Sequence, residues 1–160
     1  RRAGGVVVLD TLYLVDAEGR PFVPAGPQDA AGLPLVTGAT RAGYEAHPAE
    51  TMARVREALA LARIYARSPL EAGRPLSDVF LAEGGRLELQ LGRTRVALGS
   101  GRVQEKLKRL EQIFARLARR QMDADYILLG EDLERAIVKE RPVPREISGA
   151  LEGEGTWRRN

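Results

Sequence analysis

Apolar residues recur along this chain in two rhythms, one of period two and one of period three to four, and the switches between them lay out the elements. Gly4-Gly5-Val6-Val7-Val8-Leu9 and Leu12-Tyr13-Leu14-Val15 read as two short strands split by Asp10-Thr11. A polar turn at Asp16-Ala17-Glu18-Gly19 follows, and Phe22-Val23 returns as a third strand. Residues 24–34 carry Pro, Gly, Ala and Asp without periodicity and mark a surface connection, after which Leu35-Val36-Thr37-Gly38 is a brief strand and turn.

The rhythm then changes. His47-Pro48-Ala49-Glu50 is a helix start, because Pro at the first helical position gives up no needed N–H and an early Glu suits the helix dipole. Met52, Val55, Leu59 and Ala62 recur at helical spacing until Ser68-Pro69 ends the pattern near Arg67. Leu76 to Leu81 returns to strand, Glu83-Gly84-Gly85 turns, and Leu87-Glu88-Leu89-Gln90-Leu91 alternates as a half-buried strand does. Gly92-Arg93-Thr94 turns tightly into Val96-Ala97-Leu98. After Gly99-Ser100-Gly101, Val103, Leu107, Leu110, Phe114 and Leu117 step by four and three, with Lys106, Lys108, Arg109, Arg116 and Arg120 interspersed as a solvated basic face. Tyr126-Ile127-Leu128-Leu129 and Ala136-Ile137-Val138 read as a closing strand pair joined by a polar turn at 130–135. From residue 143 to 160 Pro, Gly, Glu and Arg predominate, and a flexible C-terminal tail is expected, with Trp157 its only large apolar residue.

The pattern predicts an α/β domain in which a mostly antiparallel β-sheet packs against two main α-helices. Composition agrees: of 160 residues 44% are hydrophobic and 29% charged, which suits a folded domain and excludes a disordered chain. The net charge is only +3, since 25 Lys and Arg face 22 Asp and Glu, so no single-sign field dominates. No apolar run approaches the ~20 residues that span a bilayer. The first residue is Arg1 rather than Met, so these residues are expected to come from a longer protein, and the lack of a span describes them and not necessarily that protein.

Little here resembles catalytic machinery. There is no Cys and a single His, His47, which reads as a helix-start residue, so thiolate metal sites and most nucleophile–base pairs are excluded. Ser100 between two glycines is not the G-x-S-x-G elbow, and Gly99-Ser100-Gly101-Arg102 lacks Walker or Rossmann spacing, so it reads as a strand-to-helix turn. Asp123, Asp125, Glu131, Asp132 and Glu134 lack the spacing of a calcium loop and read as solvated loop carboxylates. The basic helix keeps a nucleic-acid-binding module open as an alternative, although Glu105 and Glu111 interrupt it and no aromatics are interleaved as stacking platforms. Ala136-Ile137-Val138-Lys139 is apolar enough that an exposed edge there would need a cover or a partner, and an edge strand and an internal strand fit the sequence equally.

Taken in order, these pieces resemble the FtsQ/DivIB cell-division family from about Val6 to Pro142. Leu12-Tyr13-Leu14-Val15-Asp16-Ala17-Glu18-Gly19-Arg20-Pro21-Phe22 is similar to its hydrophobic-V-D-x-x-G-x-x-F element, and Leu33-Pro34-Leu35-Val36-Thr37-Gly38 to its L-P-x-x-x-G element. Leu87 to Leu91, Val96-Ala97-Leu98-Gly99 and Lys106-Leu107-Lys108-Arg109-Leu110 resemble its strand, L-G turn and K-x-x-x-L helix. The likeness departs at Leu128 and Gly130, where the family's V-D-L-R pattern has an acid and an arginine, at Glu131, where an aromatic often stands, and near Lys139, at a position that can be aromatic.

The resemblance implies residues 1–9 as the end of a POTRA module, 10–142 as the family's β domain and 143–160 as tail. It implies a non-catalytic divisome scaffold, without cofactor, catalytic residue or bound metal. Its place would be outside the cytoplasmic membrane at the division septum, carried by a single span, binding FtsB and FtsL-like proteins and coupling them to septal peptidoglycan synthesis. It also implies partner binding at the C-terminal strand, by strand addition at Ala136, Ile137, Val138 and Lys139. A POTRA-type translocation-associated envelope module is the alternative within the envelope.

Overall fold

The computed structural model describes residues 2–144. Its strands are β1 (Gly5–Val8), β2 (Leu12–Val15), β3 (Pro21–Pro24), β4 (Leu35–Thr37), β5 (Asp78–Leu81), β6 (Leu87–Leu91), β7 (Thr94–Ala97), β8 (Met122–Leu129) and β9 (Ala136–Pro142). They form one sheet in the order β3-β2-β1-β4-β5-β6-β7-β8-β9. The pairings β1–β4, β4–β5 and β7–β8 are parallel and the other five antiparallel, so the sheet is mixed and mostly antiparallel. The strand segment expected to end a preceding module, β1, is paired on both sides within this sheet.

Two long helices, α3 (Pro48–Ala66) and α5 (Val103–Arg119), supply the layer that the sheet packs against. Three short ones accompany them, α1 (Pro27–Ala30), α2 (Arg41–Ala46) and α4 (Leu70–Gly73). The sequence rhythm did not expose α2; it rests on Thr40, whose hydroxyl accepts the Gly43 N–H at 2.9 Å.

The core follows from the alternation of side chains across strands. Val7, Val36, Val79, Leu89, Val96 and Ile127 stand opposite one another in register from β1 to β8, and all six are fully buried. Val55, Leu59, Ala62 and Tyr65 of α3 and Leu107, Leu110, Ile113, Phe114 and Leu117 of α5 close on that row. Burying each large apolar side chain contributes about 1.5–3 kcal/mol, so this row and its helical cover hold the sheet flat against both helices. The stripe read on the second helix is therefore its core face.

Local polar contacts fix the corners. The buried Asp16 accepts the N–H groups of Glu18 and Arg20, each at 3.0 Å, and shapes the β2–β3 turn. Gly19 completes that turn at φ +84°, and its Cα lies so close to α3 that an added Cβ would meet the Met52 carbonyl oxygen at 2.5 Å. The motif that resembles V-D-x-x-G is thus a clamp between a hairpin and a helix. At the sheet's far margin β3 begins and ends with proline, Pro21 and Pro24, neither of which has an N–H to offer.

Candidate functional site

Ala136, Ile137, Val138 and Lys139 begin β9, the outermost strand beyond β8. Sequence alone left edge and interior equally open, and the strand order settles this: among the described residues, β9 pairs with β8 and with nothing on its outer side. A strand in that position presents alternate backbone N–H and C=O groups outward.

The two faces of β9 differ. Ala136 and Val138 continue the core row, with Val138 opposite Ile127 and both packed against the core from its margin. Ile137 and Lys139 point the other way, opposite Leu128 and Tyr126, and Ile137 is 64% exposed. The strand thus combines an edge that, among the described residues, has no outer neighbour with an exposed isoleucine, a combination that proteins ordinarily charge, cover or pair.

The strand is held firmly from the inside. Its register with β8 slips by one residue between Ala124 and Tyr126, leaving Asp125 as the extra residue of a bulge. Arg141 binds both sides of that bulge, donating Nη1 to Asp125 and Nη2 to Asp123, the latter at 3.2 Å. Asp123 also accepts from Arg74 at 2.9 Å, and the Arg74 guanidinium lies over the Phe114 ring, 3.6 Å from its centre. Asp123 and Asp125 are therefore strand residues in ion pairs rather than solvated loop carboxylates, and β8 starts at Met122, four residues before the apolar run that announces it. One residue further in, Arg120 at the end of α5 takes the Glu140 carboxylate in two hydrogen bonds. That pairing holds the Glu140 carboxyl below its usual range.

The loop at 130–135 is tied to α5. Arg102 donates to the Glu131 carbonyl at 3.0 Å and Arg109 to the Leu133 carbonyl at 2.8 Å. Between helix and loop lies a cleft of about 470 Å³ lined by Glu105, Lys108, Arg109, Gln112, Arg116, Leu133 and Glu134. At the strand's other end the chain continues past Pro142, where the Val143 N–H donates to the Gln121 carbonyl at 3.2 Å. Of the expected C-terminal tail, residues 145–160, with Trp157, lie outside the described residues.

The remaining candidates occupy structural positions. His47 is exposed where α2 meets α3. The Ser100 carbonyl accepts from Lys106. Lys106 corrects the reading of a solvated basic face, since it is 1% exposed. The signal was its place three residues after Val103 and four before Leu110, on the apolar stripe. Among the described residues no group of His, Asp or Glu is arranged to hold a metal ion, and no helix is long and apolar enough to cross a membrane.

Comparison with known proteins gives a consistent result. Residues 6–129 match the model of a family described as cell division protein FtsQ/DivIB, C-terminal. A cell division protein FtsQ of Myxococcus fulvus is 40% identical over 124 residues, 78% of this chain and 44% of that protein. Another, from an Anaeromyxobacter species, is 33% identical over 118 residues, 73% of this chain and 40% of that protein. The chain thus spans less than half the length of these curated relatives. The family match stops at the last residue of β8, so β9 stands on its geometry.

Proposed function

The chain belongs to the FtsQ/DivIB family of cell division proteins, and from that premise we propose that it is a non-catalytic scaffold that receives a strand of a division partner on the outer side of β9. The single observation that carries this reading is the edge of β9, unpaired among the described residues, with Ile137 64% exposed on a strand whose inner side is pinned by Arg141, Arg120 and the bulge. Strand addition needs a rigid template, because an edge that must first be ordered gives back part of the binding free energy. The backbone supplies affinity, and the side chains at 136–139 supply selectivity.

The partners in this reading are the FtsB and FtsL pair, and the role is to couple them to septal peptidoglycan synthesis. The location is the extracytoplasmic side of the cytoplasmic membrane, reached through a span outside these residues. Family membership supports this placement. The proposed organisation is a POTRA module preceding the β domain, the β domain running to residue 142 with β1 as one of its inner strands, and a tail.

Titration of the parent domain and an Ile137→Asp variant with the extracytoplasmic fragment of the FtsB protein from the same organism tests the reading. A carboxylate at this exposed position leaves the fold intact by circular dichroism and lowers affinity at least tenfold, about 1.4 kcal/mol or more. Equal affinity for both proteins would place docking elsewhere, and no binding by the parent would remove this partner.

A further inference from the structure

The docking reading leaves unused a charged group sealed in the core. Lys106 is 1% exposed, and its ammonium donates to the Leu98 carbonyl at 2.5 Å and the Ser100 carbonyl at 3.0 Å. Both acceptors are neutral. Burial pushes this lysine below its usual range, nearby Arg102 pushes the same way, and Glu131 opposes them. Hiding an ammonium with no carboxylate directly bonded to it is costly, whereas an apolar side chain at this point of the stripe would cost nothing of the kind. What the lysine provides is geometry.

The carbonyls it gathers flank Gly99, in a turn where Gly99, Gly101 and Arg102 all have positive φ, at 64°, 73° and 54°. The two glycines take up positive φ without steric cost, whereas Arg102 is strained there and stays only because surrounding contacts hold it. This turn lies beside the end of β8 and is hydrogen-bonded to the β8–β9 connection. A Cβ on Gly99 would lie 3.5 Å from the Leu129 carbonyl oxygen and 3.6 Å from the lysine nitrogen, so Gly99 faces both the end of β8 and the ammonium. Arg102 reaches across to the Glu131 carbonyl at 3.0 Å. Ala136 follows that connection directly, so the loop's position sets where β9 starts.

We propose that Lys106 is a positioning residue for the outer strand: it fixes the β7–α5 turn, the turn fixes the loop at 130–135, and the loop fixes the course of β9. Its consequence for binding rests on reading β9 as the docking strand, but the positioning role does not.

Hydrogen–deuterium exchange on the purified domain separates the two. Lys106→Met speeds exchange at 99–102 and at 130–138 at least tenfold, while the amides of β4, β5 and β6 keep their parent rates. Arg102→Ala, changed at an exposed side chain, speeds 130–138 but leaves 99 and 101 near parent rates, because the lysine still holds the turn. A uniform rise over all strands in Lys106→Met would mean general destabilisation and overturn the proposal. So would unchanged loop rates in Arg102→Ala, which remains decisive if the methionine variant fails to fold. With FtsB fragment as probe, both variants lose affinity while their exchange in β4 to β6 is unchanged. A parent domain that binds no FtsB overturns the docking reading alone.

Discussion

The Arg120 guanidinium and the Glu140 carboxylate lie fork to fork, with Nη1 2.9 Å from Oε2 and Nη2 2.8 Å from Oε1, joining the end of α5 to the edge strand. This is the bidentate geometry in which an arginine–carboxylate pair is most specific. Both groups are solvent-exposed, so the pair contributes registration of β9 more than global stability.

The pair has a pH signature. The Glu140 carboxyl is held below its usual range chiefly by its hydrogen bonds from Arg120, so whatever it contributes is complete above the ordinary glutamate range and is lost as pH falls through its lowered folded value. An NMR titration of the Glu140 side-chain carboxyl places its midpoint below that of a free glutamate, and Arg120→Ala returns it to the ordinary value. Identical midpoints in parent and variant would mean that the fork does not persist in solution.

Phe114 is 7% exposed and is covered on one face by Arg74. Phe114→Ala removes a ring from the core beneath α5 and costs about 3–5 kcal/mol. Denaturant unfolding reads this directly, and a loss below about 1 kcal/mol would place the ring outside the packed core.

Asp123 is shared by Arg74 and Arg141, and its side chain is 24% exposed beside partners at 28% and 17%. Asp123→Ala strips both guanidiniums of one acceptor at a partly buried site. A stability loss of about 1–3 kcal/mol follows, less than for a fully buried pair because water still reaches the arginines. Arg141→Lys recovers little, since a single ammonium cannot span Asp123 and Asp125 as the guanidinium does.

Gly19→Ala meets two obstacles together, a left-handed backbone and the Met52 carbonyl oxygen 2.5 Å from the new methyl. The backbone term alone is about 1–2 kcal/mol. Thermal unfolding of the variant shows a larger drop than that term gives, because backbone on α3 cannot swing aside as a side chain can.

The elements most legible in sequence are those whose stability comes from a repeated apolar step. Leu87 to Leu91 and the stripe through Leu107, Leu110, Phe114 and Leu117 fall where their spacing puts them. The start of β8 was hidden because Asp123 and Asp125 are poor strand residues until Arg74 and Arg141, distant in sequence, neutralise them. Lys106 was hidden for the same reason: lysine on an amphipathic helix is ordinarily solvated, and the carbonyls that draw this one inward belong to a turn whose shape no spacing rule gives. The strip at Ala136 to Lys139 was half legible. Alternation says which side chains share a face, but only the order of strands says which one has no neighbour.

The prolines that bound β3 acquire a meaning from the opposite margin. A sheet with two receptive margins is a monomer for open-ended polymerisation, since the free side of one copy can seat the free side of the next. In the proposed reading one margin is a socket and the other a poor one, since Pro21 and Pro24 leave β3 without a backbone donor at its first and last residues. On the reading proposed for β9, strand addition ends after one step, with one incoming strand per domain.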